Sequence, residues 1–346
     1  MIIKAVDLFC GIGGLTCGLK SAGIPVVAGI DVDGTCEYAY TASNECQFIK
    51  KSIEDVTGEE VLALLSGADY RVLVGCAPCQ PFSTHSNKIK NKETSSKWNL
   101  LNEFLRIIRD VNPDIVSMEN VPNLSNKEIF NNFVYELKSL GYTVNYQNIY
   151  CPDYGVPQKR RRLVLLASRF GEIATIDKTH DKENYVTVRD AIGSLERLRN
   201  GQKSKNDALH YTTRLSKKNL ARIKASKVNG TWQDWDDSLK LDCQKKETGS
   251  TYKSVYGRMS WNEPSPTITT QFFNYGTGRF GHPEQNRALT MREAAILQTF
   301  PDDYIFYKNV KKISMNSIGT HIGNAVPPRL GEVIGLSILN HIEGAN

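Results

Sequence analysis

The chain of 346 residues has no apolar run approaching the roughly 20 residues that a bilayer-spanning helix requires. Its opening segment, Met1–Asp7, meets an acidic residue after six positions, too early for the apolar core of a signal peptide. A cytoplasmic protein without a membrane partner is therefore expected. Internal repeats and low-complexity tracts are lacking, which sets aside repeat arrays and disordered tethers. Strong charge of one sign is lacking too: 43 basic residues against 37 acidic ones leave a net +6. The eight cysteines (10, 17, 36, 46, 76, 79, 151 and 243) follow no secretory segment, so free thiols are expected rather than a disulfide framework. The Cys76–Cys79 spacing could serve a redox pair or half a zinc site, but no second Cys/His pair with ligand spacing accompanies it and nothing thioredoxin-like surrounds it, so no metal is expected.

What is present is enough apolar sequence, 40% of residues, to build a sizeable core. Ala5–Phe9, Val26–Ile30, Val72–Val74, Ile115–Met118 and Leu163–Ala167 read as strands buried on both faces. Amphipathic segments lie between them, such as Asn99–Arg109, which Asn112-Pro113 should end. This alternation up to about Arg169 predicts a doubly wound, Rossmann-like α/β sheet. Beyond it the chain turns basic and turn-rich, with Trp232, Trp235, Tyr252, Tyr256 and Trp261 interspersed, and these aromatics suit a small core better than base stacking. Between Asn200 and Arg258 there are 13 Lys/Arg against 6 Asp/Glu, an excess of seven beside a near-neutral remainder. Such a block suits a polyanion, although a solvated basic loop would look the same. Helical patterns return at Met291–Gln298 and Gly331–Ile342. The expected organisation is an α/β domain (1–175), a smaller insert (176–285) and a segment returning to the first domain (286–346).

Two segments carry chemistry. Val6-Asp7-Leu8-Phe9-Cys10-Gly11-Ile12-Gly13-Gly14-Leu15 runs from a strand through a glycine turn into a helix, and Asp31 ends the next apolar run. A nucleotide-like cofactor fits that pattern, with Asp31 on ribose hydroxyls. The dinucleotide G-x-G-x-x-G spacing fails at Thr16, and many nucleotide-binding folds share the rest. Gly75-Cys76-Ala77-Pro78-Cys79-Gln80-Pro81-Phe82-Ser83 follows Val72–Val74, so Cys79 should occupy a loop at a strand's C-terminal end, where α/β sites gather.

This Pro-Cys-Gln resembles the catalytic motif of the DNA cytosine-5 methyltransferases, and the family's other blocks follow in order. Asp7–Leu15 is similar to its cofactor loop, Met118-Glu119-Asn120-Val121 to its Glu-Asn-Val motif, and Gln158-Lys159-Arg160-Arg161-Arg162 to its Gln-x-Arg-x-Arg block. Arg292-Glu293 through Leu297-Gln298-Thr299-Phe300-Pro301 and Ile322–Pro328 resemble the last two. The resemblance implies an S-adenosylmethionine-dependent methyltransferase sheet carrying an inserted target-recognition domain. It implies Cys79 as the nucleophile adding to carbon 6 of cytosine, Glu119 at the N3/N4 edge, and Arg160 and Arg162 as cationic donors near base O2 and phosphate. It implies that S-adenosylmethionine is held by Phe9, Gly11, Gly13, Asp31, Ile53, Leu100 and Asn324. Ser52 stands where the family often has an Asp for adenine, leaving Glu54 or Asp55 as substitutes. Double-stranded DNA is the implied partner, with base extrusion. Thr84–Lys97, with four lysines and few apolar anchors, reads as an element able to close over it, and a merely disordered surface loop would look much the same. A cognate restriction endonuclease is a further expected partner. Two rivals stay open: an RNA cytosine-5 methyltransferase of the same lineage, and an inactive DNA-binding relative.

Overall fold

The computed structural model describes residues 1–78, 99–247, 249, 252–308 and 314–345. Seven strands, β1 (Ile3–Leu8), β2 (Val26–Asp31), β3 (Gln47–Lys50), β4 (Tyr70–Gly75), β5 (Ile115–Asn120), β6 (Thr143–Tyr150) and β7 (Arg161–Ser168), form one sheet in the order β3-β2-β1-β4-β5-β7-β6. Strands β1 to β5 pair in parallel, whereas β7 runs antiparallel to both β5 and β6.

Strand alternation explains why the central strands are apolar throughout. Val72 and Val74 join one cluster with Leu15 and Leu19 of α1 (Gly14–Ser21) and with Leu330, Val333, Ile334, Ile338 and Ile342 of α10 (Pro328–Ala345). Leu73, between them, joins the opposite cluster with α3 (Gly58–Leu64), α4 (Leu100–Val111) and α5 (Glu128–Ser139). Each fully buried side chain of this size contributes about 1.5–3 kcal/mol. Helix α1 approaches α10 so closely that a Cβ on Gly18 would strike the Pro328 carbonyl. Helix α4 ends at Asn112, whose φ of +47° makes a left-handed cap ahead of Pro113.

The strands not foreseen, β3 and β6, are the two edges. Most of β6 is exposed, and β3 has no buried residue, so neither shows an apolar run. Two helices, α2 (Glu37–Asn44) and α9 (Met315–Asn324), also lacked a clear periodic signal.

Among the described residues past β7, the short helices α6 (Val188–Ile192) and α7 (Lys217–Ala225) and isolated 3₁₀ turns precede α8 (Met291–Leu297). Trp232 and Trp235 are buried with Ile223, Tyr275 and Ala288. The Trp235 indole donates to Ser226 at 2.8 Å, which removes the cost of burying its N–H. Trp261 packs instead with a cluster around α6, α8 and α9, and Tyr252 is exposed. Arg287 is fully buried and grips Glu293 with both Nη groups, at 2.8 and 2.6 Å. Glu293 also caps α8 through a reciprocal Thr290 box. Burial alone would raise the Glu293 carboxyl, but Arg287 more than offsets it and holds the pKa down to about 2.

Candidate active site

The C-terminal ends of β1, β2, β4 and β5 open on one edge of the sheet, and strand order reverses between β1 and β4. A crevice is forced there because the connections leave in opposite directions. It contains a cavity of ≈ 260 Å³ lined by Phe9, Gly11, Asp31, Cys76, Pro78 and Asn324 among others. A second cavity of ≈ 80 Å³ shares Phe9, Asp31 and Pro78 and adds Ser52, Ile53 and Leu100.

Backbone geometry shapes this wall. Phe9 has φ +60°, an uncommon conformation for a non-glycine residue, and its ring lies edge-on to Phe104 of α4. Gly11, at φ +52°, turns its N–H onto Asp31 Oδ2 at 2.8 Å, while Oδ1 accepts from Asp33 at 2.8 Å. Burial raises the Asp31 carboxyl, and these two N–H groups work against that rise. The Ile53 carbonyl accepts from Arg106 at 2.8 Å.

Six of the seven residues foreseen for the cofactor thus line one or both cavities. Gly13 does not: at φ +86° it is the N-cap of α1, and a Cβ there would strike Tyr40 and Asn44. Ser52 lines the smaller cavity, whereas Glu54 and Asp55 are exposed and line neither.

Several lining groups were not singled out as site residues from the sequence, although Asp7 opens the glycine-turn block. Asp7 is buried, with Oδ2 accepting from Thr16 at 2.7 Å and Oδ1 without a hydrogen-bond partner among the described residues. Burial is the main reason its carboxyl is raised to about 7, with Asp31 adding to it. Asp33, Cys36 and His321 bring a carboxylate, a thiol and an imidazole within 4.8 Å of one another. Burial, reinforced by Asp31 and Asp33, pushes the Cys36 thiol far up, which disfavours the thiolate a metal would need.

Glu119, the penultimate residue of β5, is 2% exposed. Arg162 on neighbouring β7 brings Nε to 2.9 Å from Glu119 Oε1. That is an ion-pair separation, but its angle is not that of a hydrogen bond, and Oε1 has none among the described residues. The Cys76 thiol donates to Oε2 at 2.8 Å. Arg160 is buried and sits differently: Nη1 donates to Ile268 O at 3.3 Å and Nη2 to Ala325 O at 3.2 Å. Burial foremost, then Arg162, lowers the Arg160 guanidinium to about 10, with Glu119 opposing. Cys79 and Thr84–Lys97 lie outside the described residues. Pro78, just before them, lines both cavities.

A buried carboxamide chain supports this wall. Gln158 Oε1 accepts from Ile268 N at 2.8 Å, and Nε2 donates to Gln298 Oε1 at 2.8 Å. Gln298 then donates to Ile322 O at 2.6 Å. Both glutamines stand in blocks singled out from the sequence, yet 140 residues separate the pair, so no local pattern could announce it.

Comparison with known proteins identifies a family and a fold. The sequence model described as C-5 cytosine-specific DNA methylase matches residues 3–340. The chain is 50% identical to the type II methylase M.HgiDII of Herpetosiphon aurantiacus, over 99% of this chain and 97% of that one. It is 30% identical to the type II methyltransferase M1.HphI of Haemophilus parahaemolyticus, covering 98% and 87%. Among solved structures, a candidate DNA modification methyltransferase encoded within an Escherichia coli prophage superposes with a TM-score of 0.75 at 21% identity, covering 99% of each chain. The Dnmt2 methyltransferase of S. pombe gives 0.63 at 16%, again over 99% of each.

Proposed function

Because the chain belongs to the C-5 cytosine-specific DNA methylase family, we propose that the crevice between β1 and β4 is its active site and acts on a cytosine extruded from duplex DNA. The reaction is methyl transfer to carbon 5 of cytosine in DNA. One observation carries the placement: a buried carboxylate, Glu119, with a guanidinium at 2.9 Å and Cys76 between it and the larger cavity.

Methyltransferases of this family use S-adenosylmethionine, which when bound supplies an electrophilic methyl group. The donor set fits it. Asp31 offers a carboxylate fixed by two backbone N–H groups to the ribose hydroxyls. Phe9, Ile53 and Leu100 offer an apolar slot to adenine, with Ser52 at its rim. Gly11 and Asn324 border the remainder.

Carbon 5 of cytosine is too weak a nucleophile to take a methyl group directly. A thiolate adding at carbon 6 converts the ring to an enamine, and Cys79 is the proposed thiol. Glu119 meets the N3/N4 edge and holds a proton at N3 as electron density builds there. Arg162 orients that carboxylate and, with Nη1 donating to Arg161 O at 2.7 Å, offers its Nη2 donors to base O2. Arg160 acts one step back, fixing the carbonyls of Ile268 and Ala325 while its charge favours the thiolate. Loss of the carbon 5 proton to water then returns its bonding pair to the ring and re-forms the 5,6 double bond, and Cys79 leaves carbon 6 with the carbon–sulfur pair as a thiolate.

Residues 176–285 are the proposed DNA-reading part, with the exposed lysines of the basic block meeting phosphates, whereas Arg222 and Arg258 of that block are buried and bonded to the carbonyls of Leu239 and Ile223. Residues 1–175 and 286–346 together complete the catalytic part. A restriction endonuclease of the same site is the proposed companion, on the type II designation of the relatives. None of the helices among the described residues is long and apolar enough to cross a membrane, and action on cytoplasmic DNA is the proposal. Labelled methyl transfer should appear in duplex DNA and not in transfer RNA, and bisulfite sequencing should map it to one short site. Labelling of transfer RNA alone would favour the RNA reading.

A further inference from the structure

The Glu-Asn pair ending β5 grips two successive residues of the segment leading to Cys79. Glu119 Oε2 accepts the Cys76 thiol proton at 2.8 Å, and Asn120 Nδ2 donates to Ala77 O at 3.0 Å. Asn120 is buried, and its own Oδ1 accepts from Val121 N at 2.9 Å, which fixes the orientation of its amide. Cys76 N also donates to Leu8 O at 3.3 Å, tying the same residue to β1. Cys76 faces two ways, since it lines the larger cavity as well as touching the carboxylate.

We infer that Cys76 and Asn120 are positioning residues, which lock the start of the nucleophile-bearing segment to the carboxylate of β5 as one rigid unit. The inference rests on the active-site reading above. A carboxylate at the base edge and a thiol at carbon 6 must meet the same ring, so their relative placement governs the rate. Displacement of a reacting group by about 1 Å costs on the order of a hundredfold. Among the described residues the thiol supplies the proton that fixes Oε2, and Oε1 faces Arg162. Neither residue need touch DNA to act.

The test measures kcat, KM for both substrates, S-adenosylhomocysteine affinity and Tm for Cys76→Ala, Cys76→Ser and Asn120→Ala. Cys76→Ala and Asn120→Ala should lower kcat at least about tenfold, with both KM values within about threefold of the parent. Cys76→Ser, whose hydroxyl can donate to the same oxygen, should return to within about threefold of the parent kcat. Parent-like kcat in the alanine variants would overturn the inference. So would a serine variant as slow as the alanine one, or losses that track Tm and cofactor affinity. Glu119→Gln and Cys79→Ala, run in parallel, separate the two levels. Full activity in those would defeat the active-site reading itself, whereas their inactivity beside a parent-like Cys76→Ala would defeat only the positioning role.

Discussion

Replacing Asp31 with Asn changes one oxygen of the cofactor wall into an amide. The native carboxylate accepts two backbone N–H groups at once, Gly11 on Oδ2 and Asp33 on Oδ1, each at 2.8 Å. An asparagine has one acceptor, so its NH₂ must confront one of those N–H groups, donor against donor. The same substitution removes the charge that would accept ribose hydroxyls. A hydrogen bond to a charged group contributes about 1.5–3 kcal/mol. At 1.4 kcal/mol per tenfold, loss of one such bond weakens binding about 10- to 150-fold. Titration calorimetry with S-adenosylhomocysteine, at near-neutral pH, reads this directly, and a thermal melt without ligand shows whether the wall itself has collapsed. Affinity within about twofold of the parent, in a variant that melts normally, would refute the role given to Asp31.

Three further outcomes are expected. His282 is buried against Glu293 and Trp261, and burial holds its pKa down from 6.5 to about 3, so the unfolded chain takes up its proton first as pH falls. That contribution to stability is fully present above about pH 6.5 and is lost toward pH 3 by up to about 1.4 kcal/mol per unit; urea melts at several pH values should show a flatter slope for His282→Gln. Binding to duplex DNA should weaken steeply with salt, because the exposed lysines between Asn200 and Arg258 release counterions, and a salt-independent affinity would remove that block from the interface. Exchange of residues 176–285 for the matching segment of another family member should move methylation to a new sequence, and retention of the original site in an active chimera would count against the assignment.

Much of the fold was legible because its central strands are buried on both faces, which leaves uniformly apolar runs such as Ile115–Met118. The edges were not legible, since β3 and β6 bury too few side chains to impose a pattern. At the site, short-range blocks foretold which loops converge, and Phe9, Gly11, Asp31, Ile53, Leu100 and Asn324 do meet around two adjoining cavities. Gly13 looked identical in sequence to Gly11, yet its missing side chain serves the packing of Tyr40 and Asn44. Arg160 and Arg162 likewise share one motif, and two positions apart they would share a face of a continuous strand, but Arg160 lies just before β7 and reaches Ile268 and Ala325 while Arg162, within β7, reaches Glu119. Groups such as Asp7, His321 and the Gln158–Gln298 pair depend on neighbours brought together by the fold, and no local spacing encodes such meetings.

The most direct test of covalent catalysis uses duplex DNA with 5-fluorocytosine at the methylated position. Fluorine at carbon 5 cannot leave as a proton does, so an enzyme that has added its thiol to carbon 6 and passed on the methyl group stays bonded to the base. The expected result is a protein–DNA species that survives denaturing electrophoresis, forms only when S-adenosylmethionine is supplied, and maps by peptide mass to Cys79. Cys79→Ala should form none and should not methylate, because no other side chain is assigned as nucleophile. A Cys79→Ala enzyme that still methylated carbon 5 at a comparable rate, or a trapped species mapping to Cys76, would contradict the mechanism.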